Sequence, residues 1–156
     1  MSGKAQYDPL IEFVNERASI WAHRMGLGYY KIEHTFIDAY YHEDDGGDDF
    51  KITATTEVRW NYMQAKVKWY LPSATRHSTA HIEEVLVHEL CHVLLAPEQQ
   101  LIDVKLSERG ASDEMTDSDR DTLTDLYYER LEMATESVAR SLLLAWGPAK
   151  REDPDA

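Results

Sequence analysis

Two histidines four positions apart are the residues of this chain best suited to chemistry. They are His88 and His92, and they enclose Glu89 in the sequence HELCH. On an α-helix, positions i and i+4 differ by about 40° of rotation and about 6 Å of rise, so both imidazoles leave the same face. They can then bind one zinc ion at about 2.0 Å from each nitrogen. The spacing therefore predicts a metal site on a helix.

The carboxylate between the histidines suits a different task. Glu89 directly follows His88, so on a helix it is offset sideways from the two-histidine face. From there it reaches a water bound to the ion more easily than the ion itself. Because zinc lowers the pKa of such a water, a carboxylate can take its proton. We expect Glu89 to act as a general base.

Three segments with helical periodicity are expected to frame the motif. Apolar residues recur with that period over about 9–25, 78–95 and 117–146. The HELCH motif lies in the second segment, which is amphipathic. The stretch 96–116 contains Pro97, Gly110 and several acids, and it is predicted to be a long loop.

Three strands are predicted between the first two helices. Apolar and polar residues alternate over 29–41, 50–60 and 64–71, with a short turn at 61–63. Such alternation is typical of an antiparallel sheet with one covered face. The order helix, three strands and two helices predicts an α+β fold, with helices covering one face of a three-stranded antiparallel sheet.

The acid-rich link between the first two strands is a candidate calcium loop. It reads HEDDGGDD over 42–49. It lacks the alternating oxygen ligands and the closing glutamate of an EF-hand. A solvated turn is the better interpretation.

Composition limits the size and the partners of the protein. A chain of 156 residues with 43% hydrophobic residues fits one domain over 1–156, with flexible tails at 1–7 and 147–156. Its 16 Lys+Arg against 29 Asp+Glu give a net charge of −13, which disfavours nucleic acid as a partner. A single cysteine, no signal peptide and no apolar run of membrane length favour a cytoplasmic protein with no membrane partner.

The motif and the order of the elements resemble the zincin metallopeptidases over about 9–146. Within them the chain looks most like small, single-domain gluzincins, including minigluzincins and short metallopeptidase-like proteins of phages and bacteria. The resemblance implies a zinc-dependent metallopeptidase in which Glu89 activates water, and an extended peptide or protein substrate held along a strand edge.

The resemblance also suggests the third metal ligand. Gluzincins take a glutamate from the next helix, often followed four residues later by an acid that supports a zinc-bound histidine. Glu132 and Glu136 match that spacing, so the resemblance implies that Glu132 is a ligand and Glu136 its supporting partner. No histidine follows His92, and Leu95 stands where a metzincin has its turn glycine. Other carboxylates stay open as ligands: Glu98, Asp125, Glu129 and Glu136.

The sequence also predicts where several other aromatic, histidine and cysteine side chains lie. Tyr128, one turn before the expected ligand, is a packing tyrosine or a phenol that stabilises an oxyanion. His34 and Cys91 are expected in the core. His77 and His81 are polar residues near a helix start, and His81 is also a candidate for the rim of the site. The four tryptophans are expected in the core: Trp21, Trp60, Trp69 and Trp146.

Two other functions remain as alternatives to a peptidase. One is a regulatory or binding protein with a zincin fold and little proteolysis. The other is a repressor-cleaving protease of the ImmA/IrrE type. Those proteases carry an acid–Ala–Asn pattern at the second site, which the segment 136–138 (ESV) does not match.

Overall fold

Four α-helices and five β-strands make up the part of the chain that the structure describes. This computed structural model describes residues 6–42, 48–49, 51–110 and 116–148. Most of the acid-rich link and of the expected tails therefore lies outside the described residues. The elements are α1 (Asp8–Arg24), β1 (Lys31–Ile37), β2 (Tyr41–His42), β3 (Asp48–Asp49), β4 (Ala54–Arg59), β5 (Gln64–Tyr70), α2 (Leu71–Ala74), α3 (Thr79–Gly110) and α4 (Asp117–Trp146).

The first and last helices lie where the periodicity predicts them. α1 has a proline in its first turn and buries Val14, Ala18 and Trp21 on one face. α4 begins after Thr116, whose side-chain oxygen accepts a hydrogen bond of 3.2 Å from the backbone N–H of Asp119. The α+β class is confirmed, and no helix within the described ranges is long and apolar enough to cross a bilayer.

The three-stranded sheet is mixed, so the expectation of an antiparallel sheet is wrong. Its strand order is β1-β5-β4. β4 and β5 form an antiparallel hairpin, whereas β1 lies parallel to β5 with Lys31 opposite Gln64. The reason is that alternation reports which face of a strand is covered, not the direction of its neighbour. The most buried strand, β5, takes the centre.

The covered face of the sheet and the helices α1, α3 and α4 enclose the core. Trp21, Trp69 and Cys91 are fully buried, as expected. The expectation is wrong for two tryptophans, because Trp60 is 39% exposed and Trp146 is 46% exposed. Trp60 belongs to the alternating pattern, but β4 ends at Arg59 and Trp60 lies in the short turn that follows. Trp146 ends α4 with its ring 5.9 Å from that of Trp21.

α3 continues far beyond the predicted helix end. It spans 32 residues with Pro97 inside it, so the predicted loop is wrong up to Gly110. A proline inside a helix lacks the N–H that would bond four residues back and costs about 3 kcal/mol. The residues that follow, EQQL, are good helix formers, and this part of α3 lies beside α4, where Asp103 contacts Tyr128. The face that carries the two histidines is thereby extended by several turns.

His34 lies on the covered face of β1, as expected for a core histidine. Its Nδ1 accepts a hydrogen bond of 3.1 Å from the indole N–H of Trp69. Burial lowers the pKa of His34 from 6.5 to about 4. The folded protein therefore holds this imidazole neutral at pH values where the unfolded chain protonates it.

Acid is expected to destabilise the protein through His34. As the pH falls from 6.5 to about 4, the unfolded chain gains a proton that the folded chain does not, so stability is lost across that window. The loss at a pH near 4.5 should reach about 2 to 3 kcal/mol. His34→Asn keeps an acceptor for Trp69 without titrating. In urea unfolding at about pH 7 and 4.5 it should lose less stability than the parent, and an identical loss would contradict the assignment.

Candidate metal centre

Three side chains from two helices come together in one cluster. His88 and His92 leave the same face of α3, with their Nε2 atoms 3.2 Å apart. Glu132 of α4 places Oε2 3.4 Å from the Nε2 of His88, and Oε1 3.4 Å from the Nε2 of His92. One atom from each residue can be chosen so that all three lie within 4.8 Å of one another.

The spacing of these atoms fits a metal ion. Four ligands at about 2.0–2.1 Å from a tetrahedral zinc ion are about 3.3 Å from one another. The two Nε2 atoms are 3.2 Å apart, and each lies 3.4 Å from a different oxygen of Glu132. Within the described ranges, this is the one group of three or more His, Cys, Asp or Glu side chains close enough to hold an ion. Two imidazoles and a carboxylate could thus supply three ligands.

Glu136 orients the first histidine. It lies one turn after Glu132 on α4, and its Oε2 is 3.2 Å from the Nδ1 of His88. Because an ionised carboxylate only accepts, the ring proton is assigned to Nδ1, which leaves the lone pair of Nε2 in the cluster. Arg140 donates to the other oxygen of Glu136 at 2.6 Å and holds the pKa of this carboxyl below its usual range.

The second histidine is also held in a metal-binding form. His92 lies between the core and the cluster, and burial lowers its pKa despite the nearby carboxylate of Glu132. A low pKa favours the neutral ring, which is the form that binds metals. The neutral ring of His92 can therefore offer a free nitrogen to the cluster.

Glu89 is buried beside the cluster. Its side chain is 7% exposed, and its Oε2 accepts a hydrogen bond of 2.6 Å from the hydroxyl of Thr56 on β4. Burial raises the pKa of Glu89, and the bond from Thr56 opposes that rise. Sequence reasoning did not single out Thr56. The sequence does contain a sign of it, because Thr56 places a hydroxyl between Ala54 and Val58 on a strand face that is otherwise apolar.

A groove of about 570 Å³ opens over the cluster. One wall is β4 with Trp60, and the other is formed by α3 from His88 to Asp103 and by α4 around Tyr128. Tyr128 is 42% exposed, and its hydroxyl lies 3.4 Å from Oδ1 of Asp103. The phenol thus lines the groove rather than packing in the core. Asp103 was missed because α3 was expected to end before it.

The edge of β4 that borders the groove is open. β4 pairs with β5 alone among the described strands, and the N–H of Tyr70 bonds the carbonyl of Thr53 at 3.0 Å. In an antiparallel pair, alternate residues point their N–H and C=O toward the partner. The backbone groups of Ala54, Thr56 and Val58 therefore point to the open edge, where an extended chain could pair with them.

The other candidate residues lie outside the cluster. Glu98 is exposed and six residues after His92, which turns it about 120° away from that side chain. Asp125 and Glu129 are exposed and do not join the cluster. Cys91 is buried, and burial raises the pKa of its thiol to about 12.

His81 lies at the rim of the site. It lines a hollow of about 250 Å³ beside His88, and its Nδ1 is 3.2 Å from Oε2 of Glu84. The ring of His77 lies against it at 4.4 Å.

The geometry thus joins a potential metal site, a buried carboxylate and an open strand edge within one groove. The resemblance to zincins inferred from the sequence stays a prediction. Comparison of the chain with known protein families, with curated proteins and with solved structures found no match.

Proposed function

We propose that the protein is a zinc-dependent peptidase that hydrolyses peptide bonds in the groove along β4. The observation that carries the proposal is the juxtaposition of three potential ligands with a buried carboxylate. His88, His92 and Glu132 would hold the ion, and Glu89 would act as the general base. The zincin fold suggested by the sequence belongs to the same proposal.

The choice of zinc follows from the donor set. Two imidazoles and a carboxylate suit zinc in a catalytic site, where a fourth position is left for water. The two Nε2 atoms are 3.2 Å apart, as neighbouring ligands of one zinc ion would be, and a different oxygen of Glu132 lies 3.4 Å from each of them. When bound, zinc acts as a Lewis acid that polarises a carbonyl and lowers the pKa of water.

Glu89 moves the proton in the proposed reaction. Its carboxylate accepts a proton from the attacking water as oxygen adds to the carbonyl carbon. It then gives that proton to the leaving amine as the C–N bond breaks. Thr56 fixes one carboxylate oxygen at 2.6 Å, so the group is oriented before the substrate arrives. Burial raises the pKa of Glu89, which favours carrying a proton between the two steps.

The open edge of β4 suits an extended peptide or protein segment. Ala54, Thr56 and Val58 direct backbone N–H and C=O groups away from β5, and no described strand pairs with them there. A substrate that adds as a further strand would receive its backbone hydrogen bonds there and present side chains to the groove walls.

The test combines metal content with hydrolysis. We expect about one zinc per chain by elemental analysis after purification without chelator. A mixed-sequence fluorogenic peptide library should be cleaved, a chelator should stop cleavage, and added zinc should restore it. A chain that binds no zinc would contradict the metal site. Stoichiometric zinc without cleavage would favour a regulatory or binding protein instead.

A further inference from the structure

The groove extends well beyond the metal cluster along α3. Ala96, Gln99 and Asp103 follow His92 at intervals of four, seven and eleven residues, and all three line the groove. At about 100° and 1.5 Å per residue, they stay within about 40° of the direction of His92, and Asp103 lies about 16 Å farther along the axis. An extended peptide covers that distance in about five residues.

Among the residues that the structure describes, the groove lining carries acidic side chains but no Lys or Arg. Glu89 and Glu132 belong to the candidate metal centre, so Asp103 is the lining carboxylate left to meet a substrate. It is half-buried, and the nearby Arg120 pairs with Asp117 and Asp121 instead. No cation within the described ranges forms an ion pair with Asp103.

Tyr128 adds a second feature that suits a cation. Its ring lines the groove beside Asp103, with the hydroxyl 3.4 Å from the carboxylate. An ammonium or guanidinium group at this point could bond the carboxylate and contact the aromatic ring. An acidic substrate side chain would instead meet a like charge in a protein whose net charge is −13.

The direction of the groove follows from its two ends. At one end Ala54 of β4 shares a hollow with His81 and Glu84 of α3, and farther along both elements Thr56 bonds Glu89. Trp60 and Asp103, which come later in the chain order of each, both line the groove. β4 and α3 therefore run in the same sense. A peptide that pairs with β4 in the commoner antiparallel way would bring its N-terminal part to Asp103.

We infer that Asp103 is a specificity-determining residue that selects a lysine or arginine about three to five positions before the bond that is cleaved. The inference rests on the proposed peptidase function. Gln99, one turn earlier on the same helix face, is placed to bond the backbone or side chain of the same substrate segment.

A single-position peptide series tests this selectivity. Fluorogenic peptides would carry Lys, Gln or Glu at one position, moved from two to six residues before the cleaved bond. We expect kcat/KM to be about tenfold higher for Lys than for Gln at the matching position, which is a typical effect of one charge-assisted hydrogen bond. The preference should weaken as the salt concentration rises.

Three variants separate the charge of Asp103 from its shape. Asp103→Asn should abolish the preference for Lys, and Asp103→Lys should reverse it in favour of Glu. Glu129→Gln removes the same charge from an exposed position on α4 outside the groove, and it should keep the preference.

A binding measurement adds a readout that does not depend on turnover. Zinc-loaded Glu89→Gln protein should bind the Lys peptide about tenfold more tightly than the Gln peptide in fluorescence anisotropy, and adding Asp103→Asn should remove the difference. Cleavage without a preference for Lys, or a preference that survives Asp103→Asn, would overturn the inference and leave the peptidase proposal standing. Zinc-loaded protein that neither cleaves nor binds any peptide would overturn both.

Discussion

Glu89→Gln is expected to leave the metal bound and to lower kcat for peptide hydrolysis by about 10² or more. The amide oxygen of glutamine can still accept the hydrogen bond from Thr56, so the fold around the site should persist. What is lost is the ability to take a proton from water. Zinc content by elemental analysis and kcat on a cleaved peptide measure the two effects separately.

A matched control for this change is available on the same helix. Glu108 is exposed, pairs with Lys105 at 2.8 Å and is not among the residues that line the groove, so Glu108→Gln should change neither zinc content nor kcat. Loss of zinc in Glu89→Gln would mean that Glu89 is a ligand. Unchanged hydrolysis would mean that another group takes the proton.

Glu132→Ala is expected to weaken zinc binding strongly, whereas Glu98→Ala should leave it unchanged. Glu132 lies 3.4 Å from both histidine nitrogens and is fixed on a regular helix, while Glu98 is exposed and faces away from the cluster. The affinity for zinc should fall by more than the roughly 10–100-fold that is lost when a residue hydrogen-bonded to a metal ligand is removed. Competition with a chromogenic chelator measures both affinities.

The histidines provide a further check on the same assignment. His88→Ala and His92→Ala should each strip the metal, because each removes one of three ligands. Stoichiometric zinc in both variants would rule out the cluster as the metal site. A larger effect of Glu98→Ala than of Glu132→Ala would move the third ligand to the segment after Pro97.

The sequence allowed prediction of the features that depend on local periodicity. His88 and His92 share a face because any helix places residues four apart in that way. The bounds of α4 also follow from a local signal, since Thr116 and the acids after it cap the helix. The family resemblance implied that Glu136 supports one of the two histidines, and the structure places its carboxylate 3.2 Å from the Nδ1 of His88.

The features that were missed depend on contacts between distant segments. Pro97 is a strong local signal for a helix end, but packing of α3 against α4 offsets its cost, and Asp103 therefore reaches the groove. Thr56 approaches Glu89 only once β4 lies beside α3, 33 residues later in the chain. The direction of β1 relative to β5 likewise has no signature in the alternation of either strand.

The parallel pairing of β1 with β5 bears on how the chain folds. The hairpin of β4 and β5 closes between Arg59 and Gln64, five residues apart, whereas β1 meets β5 first at Lys31 and Gln64, which are 33 residues apart. Closing the longer loop costs about 2 kcal/mol more in chain entropy. The hairpin can therefore form early and act as the template onto which β1 docks later. Until β1 arrives, both edges of the growing sheet are open to pairing with another chain, which makes this interval the point where misassembly competes with folding.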